Sequence, residues 1–222
     1  VESNLGVMSI DPVDFKLASD VQVASMNGAY GGFIHDQNLD NIAQIPISNV
    51  PLFEYDFRHE DPRKIQEDMI KAVFYWGFYV IIENNKGWLY TEFKQHGLEN
   101  FLLVRQKDGS ITPWIPYEEH HGGNKPISTD EAMINAYMFA IKKYIAVPHK
   151  DCQDYLVLIK TLKLLHQLMD FNPLDTRRFD LAVAIGFWRI AVESYTIWLL
   201  HNKDNKKEKS PFNAQVLKAL LG

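Results

Sequence analysis

The chain has 222 residues, of which 46% are hydrophobic and 23% are charged, and its formal net charge is −5. This length suits one large domain better than two small ones, and the negative charge excludes a surface that is drawn as a whole to nucleic acid or membrane. The single cysteine, Cys152, excludes an intrachain disulfide framework and is typical of a reducing compartment.

The N-terminal part of the chain predicts strands joined by short loops. An apolar run is followed by Asp11-Pro12, which ends the first strand. Asn27-Gly28 is typical of a tight hairpin turn, so the chain is expected to turn back after a second strand. The strands predicted in this part of the chain cover residues 6–10, 21–26, 30–34 and 52–57.

The middle of the chain alternates between helical and strand patterns. Asp61-Pro62 predicts a helix start, because aspartate caps free N–H groups and proline fits the first turn. Apolar residues recur on one face of that helix until Gly77, and residues 78–82 then form a run typical of a buried strand. A helix over residues 88–95 and a strand over 101–105 follow. This β-α-β-α-β order predicts an α/β fold whose sheet is at least partly parallel and covered by helices.

The second half of the chain is predicted to be helical after a polar loop over residues 107–126. Residues 128–131 match a capping box, which opens a helix that runs to about Ile145. Two further helices are expected over residues 151–169 and 176–201. The last one is apolar almost all round, so we expect it to lie against the sheet.

The chain is predicted to consist of two unequal parts. No internal repeat or Gly/Ser linker interrupts residues 1–201, which we expect to form one domain. Residues 202–222 begin as a charged linker and continue, from Ser210-Pro211, as a short helix with one apolar stripe. That stripe packs back on its own domain or docks on a partner, and the sequence leaves both alternatives open.

Three acidic residues stand where predicted apolar elements end or begin. Asp11 closes the first strand, Glu83 closes the central strand, and Asp180 opens the last helix. Residues just beyond the carboxyl ends of parallel strands line the ligand crevice of an α/β sheet. Carboxylates that converge there repel one another, and a hard divalent cation with oxygen ligands relieves that repulsion. Each acid alone has a structural explanation, as a turn residue, a helix start or a member of a buried ion pair.

Segments around these acids together resemble the nuclease domain of the large terminase subunit of tailed bacteriophages. The segments are Ser9-Ile10-Asp11-Pro12, the Asp61-Pro62 helix leading into Val80-Ile81-Ile82-Glu83-Asn84-Asn85-Lys86-Gly87, and Arg178-Phe179-Asp180-Leu181-Ala182-Val183-Ala184. The resemblance implies an RNase H-like fold with a mixed central β-sheet flanked by α-helices. It also implies a metal-dependent endonuclease that cuts double-stranded viral DNA concatemers during genome packaging.

Carried over by position, the resemblance makes Asp11, Glu83 and Asp180 the catalytic residues and the metal ligands. The family often has two adjacent acids at the third position, where this chain has Phe179 before Asp180. Supporting candidates are Asp20, Asn84, Asn85 and Asp175. Basic side chains that could contact DNA phosphates near the site are Arg105, Lys107 and Lys125.

Cofactors and partners follow from the same resemblance. Two Mg²⁺ or Mn²⁺ ions are expected at the three acids, where they could activate a water and stabilise a leaving oxygen. The sequence lacks the G-x-x-x-x-G-K-[ST] phosphate loop, so no ATP site is expected and the packaging motor would be a separate domain. The expected partners are double-stranded DNA, the terminase ATPase domain, the small terminase subunit and the portal protein.

The expected location is the cytoplasm of the host cell, without a membrane. The sequence is expected to contain no signal peptide and no apolar stretch of about 18 residues. Because the first residue is Val1 and not methionine, we expect a piece of a longer protein. Two other functions remain open at this point: another RNase H-like enzyme, such as a junction resolvase or a transposase core, and a catalytically inactive docking module of the same fold.

Overall fold

The computed structural model of the chain describes seven segments, residues 6–12, 26–34, 49–57, 61–84, 87–114, 124–146 and 161–202. Several predictions lie outside these residues. They concern almost all of the strand over residues 21–26, the first part of the helix over 151–169, the C-terminal helix, Asp20 and Asn85.

The central sheet is mixed and has four strands in the order β3-β2-β1-β4. The strand β1 pairs with β2 in antiparallel and with β4 in parallel orientation, and β2 pairs with β3 in antiparallel orientation. The parallel β1–β4 pair confirms that the sheet is partly parallel. The strands are β1 (Gly6–Asp11), β2 (Asn27–Phe33), β3 (Phe53–Phe57) and β4 (Tyr79–Ile82).

Five α-helices surround the sheet in the part of the chain that the structure describes. They are α1 (Pro62–Trp76), α2 (Trp88–Gln95), α3 (Glu131–Ala146), α4 (Leu162–Asp170) and α5 (Asp180–Asn202). Asp61 caps α1 as predicted, because its side chain accepts a hydrogen bond from Arg63 N, and Gly77 ends the helix in a left-handed conformation. Asp130, which is part of the predicted capping box, caps α3 through a 2.8 Å bond from Met133 N to Oδ1.

Each face of the sheet has its own apolar core. Met8, Ile10, Val80 and their neighbours pack against α1 and α2. Val7 and Ile81, whose side chains point the opposite way in their strands, pack against α3, α4 and α5. The molecule is therefore a helix–sheet–helix sandwich, and its α/β class is confirmed.

Helix α5 is the main helix of the second core, as predicted. Its length and composition would also suit a membrane-spanning helix, contrary to the expectation that the chain has no such segment. Most of α5 is nevertheless buried against the sheet, where Leu181, Ala184 and Trp188 are all fully covered. The apolar character of α5 is explained by this burial.

One turn prediction is wrong. Asn27 and Gly28 do not form a hairpin turn but begin β2, where Gly28 pairs with Asp11 on one side and Asp56 on the other. The Asn27 side chain donates a hydrogen bond to Phe57 O. Gly28 is required by packing: a Cβ atom there would lie 2.5 Å from Asp180 O at the start of α5.

The predicted loop over residues 107–126 contains a strand that the sequence analysis missed. Ile111–Pro113 forms β6, which pairs in antiparallel orientation with β5 (Leu103–Arg105) as a separate two-stranded sheet. The predicted strand over residues 101–105 is thus shorter, since Glu99–Phe101 is a 3₁₀ turn. A single parallel bridge between Val80 and Leu102 links this small sheet to β4.

Candidate active site

The ends of β1 and β4 bring two of the predicted site residues together. Ile10 is paired with Ile82 in parallel register, and Glu83 N donates a 2.9 Å hydrogen bond to Ile10 O. Asp11 and Glu83 are the next residues in these two strands and are therefore neighbours. Both side chains point to the α5 face. Asp11 lies two residues after Ser9, whose hydroxyl donates a hydrogen bond to Ala184 O of α5. Glu83 shares this face because it follows Ile82, the register partner of Ile10.

Asp180 reaches the same end of the sheet from α5. It is the first residue of that helix, and its backbone carbonyl lies against Gly28, the partner of Asp11 in β2. Its carboxylate Oδ2 accepts a 2.9 Å hydrogen bond from Met26 N. Burial raises the pKa of Asp180 from the ordinary 3.8 to about 6, against the lowering effect of the Met26 hydrogen bond. The structure thus holds a buried carboxyl group beside the strand pair.

Glu83 is held by the segment that leads into α3. Its Oε1 accepts a 2.6 Å hydrogen bond from the Thr129 hydroxyl, and its backbone bridges to Ile127. The Asn84 N–H donates to Ile127 O, which fixes the residue after Glu83 as well. The Asn84 side-chain oxygen Oδ1 is buried and has no hydrogen-bond partner among the described residues. It is a further oxygen atom at this end of the sheet that is free to accept.

Tyr137 of α3 lies in the core on the α5 face of the sheet and is influenced by the charges of two of the acids. Its side chain is fully buried, and its hydroxyl has no hydrogen-bond partner among the described residues. Burial raises the pKa of the Tyr137 hydroxyl, and the negative charges of Asp11 and Glu83 raise it further. The hydroxyl therefore keeps its proton and remains a hydrogen-bond donor. Sequence analysis missed this residue, because a tyrosine in a helix reads as an ordinary core residue.

A fourth acid, Asp56 of β3, continues the same row. Gly28 pairs with both Asp11 and Asp56, so the cross-strand order is Asp56, Gly28, Asp11, Glu83. The Lys163 ammonium forms an ion pair with Asp56 Oδ2, whereas Oδ1 is buried without a partner among the described residues. We call Asp56, Asp11 and Glu83, with Asp180 above Gly28, the acid row.

The spacing of two acids in β3 is the sequence signal that could have indicated Asp56. Glu54 and Asp56 are two residues apart in a strand and therefore point to one face. Glu54 accepts hydrogen bonds from the Tyr30 and Thr161 hydroxyls. Two acids on the same face of a predicted strand indicate that this face carries charge.

The carboxylates of the acid row do not form a ready-made metal cage. Among the described residues, no group of three or more His, Cys, Asp or Glu side chains could hold a metal ion. The carboxylates of Glu83 and Asp180 are turned towards Thr129 and the Met26 N–H. The donor atoms are nevertheless all oxygens, which suits Mg²⁺ or Mn²⁺ and not a softer metal.

Four other predicted site residues are described by the structure and do not belong to the acid row. Arg105 is half exposed, pairs through its backbone with Lys125 and lies 3.8 Å from the Asp130 carboxylate. Lys125 is exposed and lies two residues before Ile127, the bridge partner of Glu83. Lys107 is exposed in the turn between β5 and β6. Asp175 precedes the 3₁₀ turn Thr176–Arg178 that leads into α5.

No protein-family model matches the chain, and no curated protein shows significant sequence similarity to it. Function is therefore inferred from the acid row and its surroundings.

Proposed function

We propose that the protein is a divalent-metal-dependent DNA endonuclease with an RNase H-like fold, the nuclease domain of a large terminase subunit. The observation that carries this proposal is the position of Asp11 and Glu83 side by side at the carboxyl ends of two parallel strands, with Asp180 at the same end. A mixed sheet with helices on both faces is compatible with that fold.

The oxygen donors at this end of the sheet are of the type that a hard divalent cation prefers. To bind one, the carboxylates of Glu83 and Asp180 would have to turn from Thr129 and the Met26 N–H. Asp11, Glu83 and Asp180 would hold the cation. Burial of Asp180 raises its pKa, because the charged carboxylate is less favourable out of water. A bound cation would offset this desolvation free energy. Such a cation would lower the pKa of a bound water, which makes that water a better nucleophile towards a phosphodiester, and would stabilise the negative charge on the leaving oxygen.

Basic side chains beside Glu83 supply a local contact for DNA. The net charge of −5 makes a globally attractive surface impossible, so phosphate contacts depend on particular residues. Arg105 and Lys125 are paired through their backbones, and the segment that contains Lys125 bridges directly to Glu83. Together with Lys107 they would hold the backbone of double-stranded DNA near the acids. We further propose concatemeric viral DNA as the substrate in the host cytoplasm, with the terminase ATPase domain, small subunit and portal as partners.

The test is cleavage of supercoiled plasmid DNA in Mn²⁺, Mg²⁺ or EDTA. The unsubstituted protein should nick and linearise the plasmid with a divalent metal and not in EDTA. Asp11→Asn, Glu83→Gln and Asp180→Asn should each reduce the rate by about a thousandfold, which is about 4 kcal/mol of transition-state stabilisation. Glu67→Gln is the control, since Glu67 is exposed on α1 across the sheet.

The outcomes separate the proposal from its rivals. Full activity of one variant would remove that residue from the site. A strong preference for branched DNA over plasmid would favour a junction resolvase. A folded protein that cleaves no DNA with either metal would favour an inactive docking module.

A further inference from the structure

The Tyr137 side chain is fully covered, yet its hydroxyl has no hydrogen-bond partner among the described residues. A buried polar group without a partner is costly, and most such groups in folded proteins are satisfied. A phenylalanine would fill the same volume without this cost. The hydroxyl therefore needs a partner that is present in another state of the molecule.

The packing of α3 on α5 fixes where this hydroxyl points. Gly186 leaves room for the Tyr137 ring, since a Cβ atom at Gly186 would lie 2.8 Å from Tyr137 Cβ. Phe187 and Phe171 flank the ring, with centroid distances of 5.9 and 6.1 Å. An aromatic ring clamped in this way leaves its hydroxyl little freedom of position. Long side chains in a helix lean towards its N-terminus, and directly before the N-terminus of α3 Thr129 donates to Glu83. The hydroxyl is thus directed towards the end of the sheet that carries the acids, and the charges of Asp11 and Glu83 act on it.

We propose that Tyr137 is a positioning residue, whose hydroxyl donates a hydrogen bond from the core side to the Asp11–Glu83 carboxylate pair when that pair binds a divalent cation. A carboxylate that gives one oxygen to a metal keeps its second oxygen for a hydrogen bond, and such outer partners orient the ligands. Thr129 already holds Glu83 Oε1 from the side of α3's first turn. Tyr137 would be a second hydrogen-bond donor to the same pair. This inference rests on the proposed metal-dependent function.

The experiment compares Tyr137→Phe with Tyr144→Phe. Tyr144 is the matched control: it lies in the same helix, is equally buried, and its hydroxyl donates a 3.0 Å hydrogen bond to Asn49 O. Three quantities are measured for each protein: the melting temperature in EDTA, the Mn²⁺ affinity by calorimetry, and the rate of plasmid cleavage.

Opposite patterns are expected from the two variants. Tyr137→Phe should melt at or above the temperature of the unsubstituted protein, because it removes an unsatisfied group. Its Mn²⁺ affinity and cleavage rate should fall about 10- to 100-fold. Tyr144→Phe should melt at a lower temperature, because it leaves Asn49 O without its donor, and its Mn²⁺ affinity should not change.

Two results would overturn the inference and leave the proposed function intact. One is a Tyr137→Phe protein with unchanged Mn²⁺ affinity and cleavage. The other is a melting temperature that falls as far as that of Tyr144→Phe, which would make the hydroxyl a structural group. Weaker Mn²⁺ binding by Tyr137→Phe in a protein that cleaves no DNA would support the inference and overturn the nuclease proposal. Failure of the unsubstituted protein to bind Mn²⁺ would overturn both.

Discussion

Replacing Asp180 with asparagine should stabilise the metal-free protein at neutral pH, although Asp180 is proposed as a catalytic residue. The carboxyl group is buried at the first residue of α5, and its pKa is raised from 3.8 to about 6, mainly by burial. Because the folded pKa lies above the unfolded one, folding favours the protonated form. Stability is then lost as pH rises from about 4 to about 6, and the cost is complete at pH 7.

The size of the effect follows from this difference in pKa. A difference of about 2 corresponds to about 3 kcal/mol of unfolding free energy above pH 6. The favourable interaction of a charged aspartate with the N-terminus of α5 is lost in the variant and offsets up to about 1 kcal/mol. Asparagine retains an oxygen that can accept from Met26 N. The net gain is about 2 kcal/mol, which raises the melting temperature by about 4–8 °C for a protein of this size.

The assay is thermal unfolding of both proteins in EDTA at several pH values. At pH 7.5 Asp180→Asn should melt higher, and the difference should shrink towards zero or reverse at pH 4.5, where the aspartate is protonated. Glu67→Gln, on the exposed face of α1, should change the melting temperature little at any pH. A lower melting temperature for Asp180→Asn at pH 7.5, or a difference that is independent of pH, would refute the reasoning. Added Mg²⁺ should stabilise the unsubstituted protein and Glu67→Gln, which both retain all three acids, more than it stabilises Asp180→Asn.

Two further predictions concern the packing and the charge around the acid row. Gly28→Ala should lower the free energy of unfolding by about 3 kcal/mol, because its Cβ would meet the backbone carbonyl of Asp180. The control is Gly77→Ala, where no atom lies within 4 Å of the added Cβ. It should cost only the strain of its left-handed conformation, about 1 kcal/mol. Equal losses in the two melting curves would argue against the close approach of α5 to β2. Arg105→Ala and Lys125→Ala should each weaken DNA binding and reduce the slope of log affinity against log salt by about 0.9. Unchanged slopes in fluorescence anisotropy titrations would exclude these side chains from the DNA interface, with Lys64→Ala on α1 as the control.

The location of Asp11 and Glu83 at one edge of the sheet could be predicted from sequence because the signals were strong and local. Each acid follows an apolar run long enough to be a buried strand, and a well-capped helix with Gly77 at its end separates the second run from the preceding strands. Parallel strands that are joined through a helix end at the same edge of the sheet. Given the two strands, the position of their carboxyl ends follows from topology, and only their adjacency had to be found by structure.

The wrong turn at Asn27-Gly28 arose from a signal with two meanings. Asn-Gly favours a two-residue hairpin because both residues tolerate positive φ. Here Gly28 is needed for a different reason, the close approach of the Asp180 carbonyl. That approach depends on a helix about 150 residues further along the chain, which no local pattern encodes.

Tyr137 and Asp56 could not be assigned to the site from sequence, because their positions depend on two tertiary features. Asp56 joins the acid row through the register of β3 on β2, and a shift of one residue would turn it to the opposite face. The position of Tyr137 depends on Gly186, which allows α3 to lie close to α5. Register and interhelix distance are set by packing across the core, whereas sequence periodicity reports only which face of an element is apolar.

The Lys163–Asp56 ion pair bears on where a cation would bind in the acid row. At the β3 end, the Lys163 ammonium pairs with Asp56 and lowers the pKa of Asp180, although burial still dominates that pKa. At the β4 end, the Thr129 hydroxyl donates a hydrogen bond to Glu83. A divalent cation at Asp56 would have to displace the Lys163 ammonium group, and this cost favours a position between Asp11 and Glu83. Lys163→Met should accordingly leave the Mn²⁺ affinity of the Asp11–Glu83 pair unchanged or create a second, weaker site. A large loss of Mn²⁺ affinity in that variant would contradict this assignment of the metal to the β4 end.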